Sequence, residues 1–155
     1  MLAIGSDHGG FELKEAIKAF LDGESVAYQD LGTFILESTD YSDIGYKVAK
    51  VVSDGNFDRG IIICGTGIGI SIAANKVPGV RAALCTDTYM ARMAREHNNA
   101  NVLALGGRVI GIGLALEIVK VFLDTAFSED IRHQTRVDKI KLIEEKYIKN
   151  KKMEC

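Results

Sequence analysis

The sequence predicts a Rossmann-like α/β fold, a three-layer sandwich around a five-stranded parallel sheet. Short branched apolar runs alternate along the chain with segments of helical period, which is the pattern of successive βαβ units. The apolar runs are continuous, with little polar alternation, as expected of strands covered on both faces. With 155 residues, the chain suits one domain, residues 1–155, with a substantial core and no room for a second.

The strands are expected at Leu2 to Gly5, Val26 to Leu31, Ile61 to Cys64, Arg81 to Cys85 and Val102 to Leu105. Helices fall between them. Phe11 to Leu21 sets Phe11, Ile17, Phe20 and Leu21 near one face, and Ile44 to Val52 does the same with Val48, Val51 and Val52. A third helix starts at Ile70, and Tyr89 to Arg95 and Gly113 to Phe122 follow the same rule. Pro78, the one proline, marks a turn before the fourth strand. The last segment, from about Ile131 to Lys149, carries only a thin apolar stripe of Val137, Ile140, Ile143 and Tyr147. A helix of that kind is expected to pack on a partner subunit.

Composition narrows the function. Charged residues make up 26% of the chain and the formal net charge is −2, so the body offers no electrostatic footprint for nucleic acid. The basic tail at Lys149, Lys151 and Lys152 reads as a solvated helix end. The segment Met1 to Asp7 lacks a basic leader and an apolar run long enough for a membrane span, which points to a cytoplasmic protein. Three cysteines, Cys64, Cys85 and Cys155, are odd in number and not closely paired. Reduced thiols are expected, without a disulfide framework or a zinc site.

The chemistry concentrates where the third strand ends. Ile61-Ile62-Ile63 delivers Cys64 onto Gly65-Thr66-Gly67-Ile68-Gly69, immediately before a helix. Three glycines in five residues let successive N–H groups converge on an anion near a helix start, in a field that favours thiolate over thiol at Cys64. A base beside an oxyanion cradle suits proton abstraction next to a carbonyl. The bland reading of Cys64 is an inert core thiol, the fate also expected for Cys85.

Ligands in such sheets bind at the carboxyl ends of the strands, and the segments inspected there are polar: Ser6-Asp7-His8-Gly9-Gly10, Thr39-Asp40-Tyr41 and Thr86-Asp87. The fourth helix ends in Glu96-His97-Asn98-Asn99. His8, His97 and His133 all fall near element ends, which strengthens a joint functional reading, although a lone loop histidine more often caps or is solvated. Asp7 could equally cap the helix that follows, Tyr41 could be a loop aromatic, and Asn98 a helix end. Arg132 and Arg136 stand four residues apart, a mildly repulsive spacing unless an anion lies across from them. Two guanidinium forks suit a phosphate dianion, with Arg108 a third candidate, whereas Glu129, Asp130 or Asp138 could neutralise the pair locally. Two rivals remain open. A dinucleotide module would use Gly65 and Gly67 with Asp87, but Ile70 occupies the position of its third glycine. A thiol sensor would pair Cys64 with Cys85.

Together Ser6 to Gly10, Thr39-Asp40-Tyr41, Cys64 to Ser71, Asn75-Lys76, His97-Asn98, Asn101-Val102-Leu103 and Arg132-His133-Gln134-x-Arg136 resemble type B ribose-5-phosphate isomerase. That family also holds allose- and galactose-6-phosphate isomerases. The resemblance runs in order from Met1 to about Ile143. It implies an aldose–ketose isomerase of the non-oxidative pentose phosphate branch, acting through a cis-enediolate, with no metal or organic cofactor. By the same resemblance Cys64 is the base and His97 helps open the sugar ring. Asp7 holds a hydroxyl or polarises His8, and Thr66 relays a proton between the two oxygens. The amides of Gly65, Thr66, Gly67, Ile68 and Gly69 form the anion hole. Arg132, Arg136 and His8 hold the phosphate, Tyr41 and Asn98 orient the sugar, and Arg108 and His133 stand in the binding set. The resemblance further implies a homodimer or homotetramer with the site at the subunit interface, so that His97 and Asn98 come from a second subunit.

Overall fold

In the computed structural model the described residues are 1–153, with side chains described through Ile148. The solvated helix end expected at Lys149, Lys151 and Lys152, and the reduced thiol expected at Cys155, lie outside the described side chains. Five parallel strands, β1 (Leu2–Ser6), β2 (Tyr28–Asp30), β3 (Arg59–Cys64), β4 (Ala82–Leu84) and β5 (Val102–Gly106), lie in the order β2-β1-β3-β5-β4. Around them run α1 (Phe11–Gly23), α2 (Tyr41–Ser53), α3 (Ile68–Ala74), α4 (Thr88–Glu96), α5 (Ile112–Asp124) and α6 (Ile131–Met153).

The continuous apolar strands do face two cores. Leu2, Ile4, Ile61, Ile63, Leu103 and Leu105 pack with α1, α4 and α5 on one side, while Ala3, Ile62, Cys64, Val102 and Ala104 pack with α2 and α3 on the other. Period-two geometry sends neighbours along each strand to opposite faces, so both must be apolar. The central strands β1 and β5 are buried throughout, and β3 is buried from Gly60 to Cys64.

Both edge strands, β2 and β4, are shorter than their apolar runs, and at β4 side chains hold the start of the strand. The Arg81 N–H donates to Asn101 Oδ1 at 2.7 Å. Asn75 clamps Ala82 from outside, accepting its N–H at 2.8 Å and donating to its carbonyl at 2.9 Å. That clamp occupies backbone groups which an exposed strand edge would otherwise offer to another chain.

The face of α1 differs from the expected stripe. Leu13, Lys14, Ile17 and Leu21 are its buried residues, while Phe11 and Phe20 are only half-buried. Lys14 replaces an apolar residue there because its ammonium finds two acceptors: Asp30 Oδ2 at 2.7 Å and the Thr33 carbonyl at 2.6 Å. Among the described side chains of α6 only His133 and Val137 are buried, and Ile140, Leu142, Ile143 and Tyr147 are exposed. Among the described residues no helix is long and apolar enough to cross a membrane.

Candidate active site

The strand order creates the crevice. From β1 the chain moves outward to β2, then crosses back to β3 on the other side of β1. Order reverses between β1 and β3, and ligands of open α/β sheets bind at the carboxyl ends of strands flanking such a reversal. Asp7 follows β1 there and Cys64 ends β3, with the Asp7 N–H donating to the Ile63 carbonyl at 3.1 Å.

Cys64 is 4% exposed. The Gly67 N–H donates to its sulfur at 3.1 Å. Gly67 adopts φ +78° as the residue capping α3, and this left-handed turn folds the chain back so that its amide meets the thiol three residues earlier. The Ile68 N–H donates to Thr66 Oγ1 at 3.3 Å. Two of the five amides expected in the anion hole therefore already have partners within the loop. Tyr41 begins α2, and its ring lies on Gly69: a Cβ there would stand 2.6 Å from Tyr41 Cε2. Arg108 covers the loop from the β5 side, donating its N–H to the Gly65 carbonyl at 2.9 Å, with its exposed guanidinium beside Gly65.

Asp7 is buried and caps a 3₁₀ turn at His8–Gly10, its Oδ1 accepting the Gly10 N–H at 3.0 Å. The cap thus precedes α1 by one short turn. His8 Nδ1 accepts the Thr39 N–H at 3.2 Å. That bond leaves Nδ1 without a proton and makes Nε2 the nitrogen free to donate. Asp7, His8, Tyr41, Cys64, Thr66, the glycine loop and Arg108 are thereby gathered at one edge of the sheet.

The remaining site residues lie at the opposite edge. Helix α4 runs back from the carboxyl end of β4, so His97, which caps its C-terminus, arrives near the start of β5. Asn101, four residues later, accepts the Gly60 N–H at 2.9 Å at the start of β3. The Arg81 guanidinium holds the turn between them through the Asn98 and Asn99 carbonyls, at 3.2 and 2.9 Å. Gly60 to Cys64 spans the sheet by about 13 Å at ~3.3 Å per residue. The start of α6 joins His97, because the Ser128 N–H donates to the Glu96 carbonyl at 3.1 Å and the His97 and His133 rings stack with centroids 4.1 Å apart. Arg132, His133 and Arg136 therefore stand with His97 and Asn98, away from Cys64 and His8 of the same chain. The three histidines are not in comparable places.

His133 is buried and its Nδ1 meets Ser128 Oγ at 2.7 Å. Burial, with His97 and Arg132 close by, holds its pKa below the usual histidine value. Of the expected neutralisers, Asp130 pairs with Arg132 at 3.4 Å, whereas Asp138 accepts from Gln134 at 2.8 Å. Among the described residues Arg136 has no ion-pair partner. Among them, too, no three His, Cys, Asp or Glu side chains cluster as a metal site.

Both rival readings meet obstacles. Cys64 and Cys85 belong to cores on opposite faces of the sheet, and burial pushes the Cys85 thiol up to about 12, so neither placement nor acidity suits a resolving partner. Asp87 follows β4, which β5 separates from β3, and its Oδ1 accepts the Met90 N–H at 2.8 Å as a helix cap. A dinucleotide site needs its acid on the strand adjoining the glycine loop.

Sequence reasoning missed Lys14, Thr33 and Ser128. Lys14 falls within the apolar stripe of α1, and a lysine at such a position was the available signal.

Comparison with known proteins shows the family and the fold. The family described as Ribose/Galactose Isomerase matches residues 2–140. Ribose-5-phosphate isomerase B of Escherichia coli is 48% identical over 145 residues, 94% of this chain and 97% of that one. The structure of Clostridium thermocellum ribose-5-phosphate isomerase B, 60% identical, superposes with a TM-score of 0.92 over 94% of this chain and 98% of its own. That of the Mycoplasma genitalium ribose-5-phosphate isomerase B, with bound ribulose-5-phosphate, is 42% identical with a TM-score of 0.89 over 93% and 95%. The fold, the ordered motifs and these likenesses coincide, and the chain belongs to the ribose/galactose isomerase family as a sugar-phosphate isomerase.

Proposed function

We propose that the enzyme interconverts ribose 5-phosphate and ribulose 5-phosphate through a cis-enediolate, in a site built from two copies of the chain. The observation that carries this reading is the Gly67 N–H directed at Cys64 Sγ in the crevice between β1 and β3. That bond fixes the sulfur in one place beside the loop amides, and a base must be positioned before it can act. The Cys64 thiolate takes the proton from C2 of the open-chain aldose. The electron pair moves into the C1–C2 bond and onto the carbonyl oxygen, and the thiol returns the proton to C1. Thr66 moves the hydroxyl proton between O1 and O2. The loop amides of Gly65, Thr66 and Gly69 stabilise the enediolate, while the Gly67 amide serves the base. A placed base of this kind contributes about 10²–10⁴-fold.

His97, Asn98, Arg132 and Arg136 complete this chemistry only if a second copy brings its amino edge to the carboxyl edge of the first. His97 then opens the sugar ring, Asn98 and Tyr41 orient the sugar, and the two arginines with His8 and Arg108 hold the phosphate. The exposed apolar side chains of α6 beside this edge support such an association, as a homodimer or a homotetramer. A six-carbon aldose phosphate, such as allose 6-phosphate or galactose 6-phosphate, is the second reading, favoured by the family description that spans ribose and galactose.

Conversion of ribose 5-phosphate is to be measured for the wild type and for Cys64→Ala, with allose 6-phosphate in parallel. The expected outcome is turnover of ribose 5-phosphate that falls by at least about 10²-fold in the variant. Undiminished activity in folded Cys64→Ala would remove the thiol base, and faster turnover of the hexose phosphate would favour the second reading.

A further inference from the structure

A fully buried lysine is costly unless its charge is paired and its donors are used. Lys14 is 0% exposed. Its Nζ spans Asp30 Oδ2 at 2.7 Å and the Thr33 carbonyl at 2.6 Å. Asp30 does not depend on Lys14 alone, since Lys18 Nζ lies 2.9 Å from the same oxygen and the Gly32 N–H donates to the other at 3.0 Å. Burial acts against the Asp30 carboxylate, yet the Lys14 and Lys18 ammoniums and that amide hold its pKa below the usual value. Among the described residues no other donor reaches the Thr33 carbonyl.

Thr33 is the foot of a seven-residue strap, residues 33–39, on the carboxyl edge. Its N–H is fixed to the end of β1 through the Ser6 carbonyl at 2.9 Å. Its hydroxyl donates to the Ile35 carbonyl at 3.1 Å and lies 3.3 Å from Thr39 Oγ1, tying the two feet together. The span between exposes Phe34, Ile35 and Leu36, so apolar packing does not hold the strap down. At the far foot the Thr39 N–H donates to His8 Nδ1 at 3.2 Å. A continuous chain of polar contacts therefore links the Lys14 ammonium to a histidine of the candidate site.

We propose that Lys14 is a positioning residue for His8, acting through Thr33 and the 33–39 strap to aim the Thr39 amide at Nδ1 and so keep the donating proton on Nε2, toward the substrate phosphate. The substrate part rests on the isomerase reading; the positioning part does not. Lys14 fixes the Thr33 carbonyl and the Thr33 hydroxyl sets the spacing of the two feet. With the proton excluded from Nδ1, the imidazole is ordered before substrate arrives, which is how pre-organisation strengthens binding.

The test uses Lys14→Met, Thr33→Val and Thr33→Ser in the full chain, with circular dichroism as the check on folding. Nitrogen-15 NMR of the His8 ring, identified by its loss in His8→Asn, reports the tautomer without any activity measurement. In Lys14→Met and Thr33→Val the two ring nitrogens should shift toward the averaged positions of an unrestrained imidazole, and in Thr33→Ser they should return to the wild-type positions. With ribose 5-phosphate, KM should rise about 2–10-fold in the first two variants, the effect of one lost hydrogen bond, with kcat little changed. Should Lys14→Met fail to fold, the Thr33 pair decides. Wild-type His8 signals in folded Lys14→Met, or in Thr33→Val, overturn the proposal. A wild type inactive on sugar phosphates would count against the isomerase reading alone, because the NMR comparison still decides the positioning.

Discussion

Gly67 shows how one backbone conformation sets up the chemistry of a neighbouring side chain. Its φ of +78° turns its amide onto Cys64 Sγ, and a left-handed conformation costs a residue with a Cβ about 1–2 kcal/mol. The added Cβ would also stand 2.8 Å from the Leu105 carbonyl carbon, which as backbone cannot step aside. Gly67→Ala is therefore expected to lower stability by at least that amount and to cost activity beyond the stability loss, as the donor leaves the sulfur. Thermal unfolding beside kcat measured well below the transition separates the two effects. Cys64 and its glycines were legible in the sequence because composition alone signals a tight turn after a strand. The division of labour among the amides was not, since it depends on which N–H groups the turn has already satisfied.

Among the elements, α6 is held at its start and little along its length. His133 stacks on His97 and bonds Ser128, while most of the apolar side chains beyond Val137 are exposed. Because the His133 pKa is held down by burial and its cationic neighbours, the unfolded chain takes up that proton first as pH falls. Stability from this junction is complete above the unfolded histidine value of about 6.5 and declines as pH drops from there toward the folded value. His133→Asn, which keeps a polar group for Ser128, should flatten the stability profile between about pH 7 and 5, measured by urea unfolding. A profile as steep as the wild type's would assign the pH dependence to another group. Helix positions were legible from periodicity, and the place of Lys14 within the stripe of α1 was a signal of burial, but its two acceptors were not legible, because Asp30 and Thr33 are distant in the sequence. The edge strand β4 was overestimated for a related reason: Asn101 Oδ1 takes the Arg81 N–H at its start, and a pattern of apolar residues carries no trace of that.

For the whole molecule, the strand order β2-β1-β3-β5-β4 determines what one chain can assemble. It brings Asp7, His8, Tyr41, Cys64 and Arg108 together at the carboxyl edge and leaves His97, Asn98, Arg132 and Arg136 at the other. The motifs named these residues, and the parallel sheet was legible from the continuous apolar runs. The separation of the two groups was not, because it follows from the direction of α4 and the placement of β4 outside β5, which local sequence does not encode. If the working site is shared, each of the two symmetry-related sites of a dimer takes Cys64 from one copy and His97 from the other. The direct test is a hybrid of Cys64→Ala and His97→Asn subunits, co-expressed with different tags and purified through both. Each variant alone should be inactive, whereas the hybrid, with one of its two sites intact, should recover about half the wild-type turnover per dimer. A folded, doubly tagged hybrid no more active than its parents would contradict a site built from two chains.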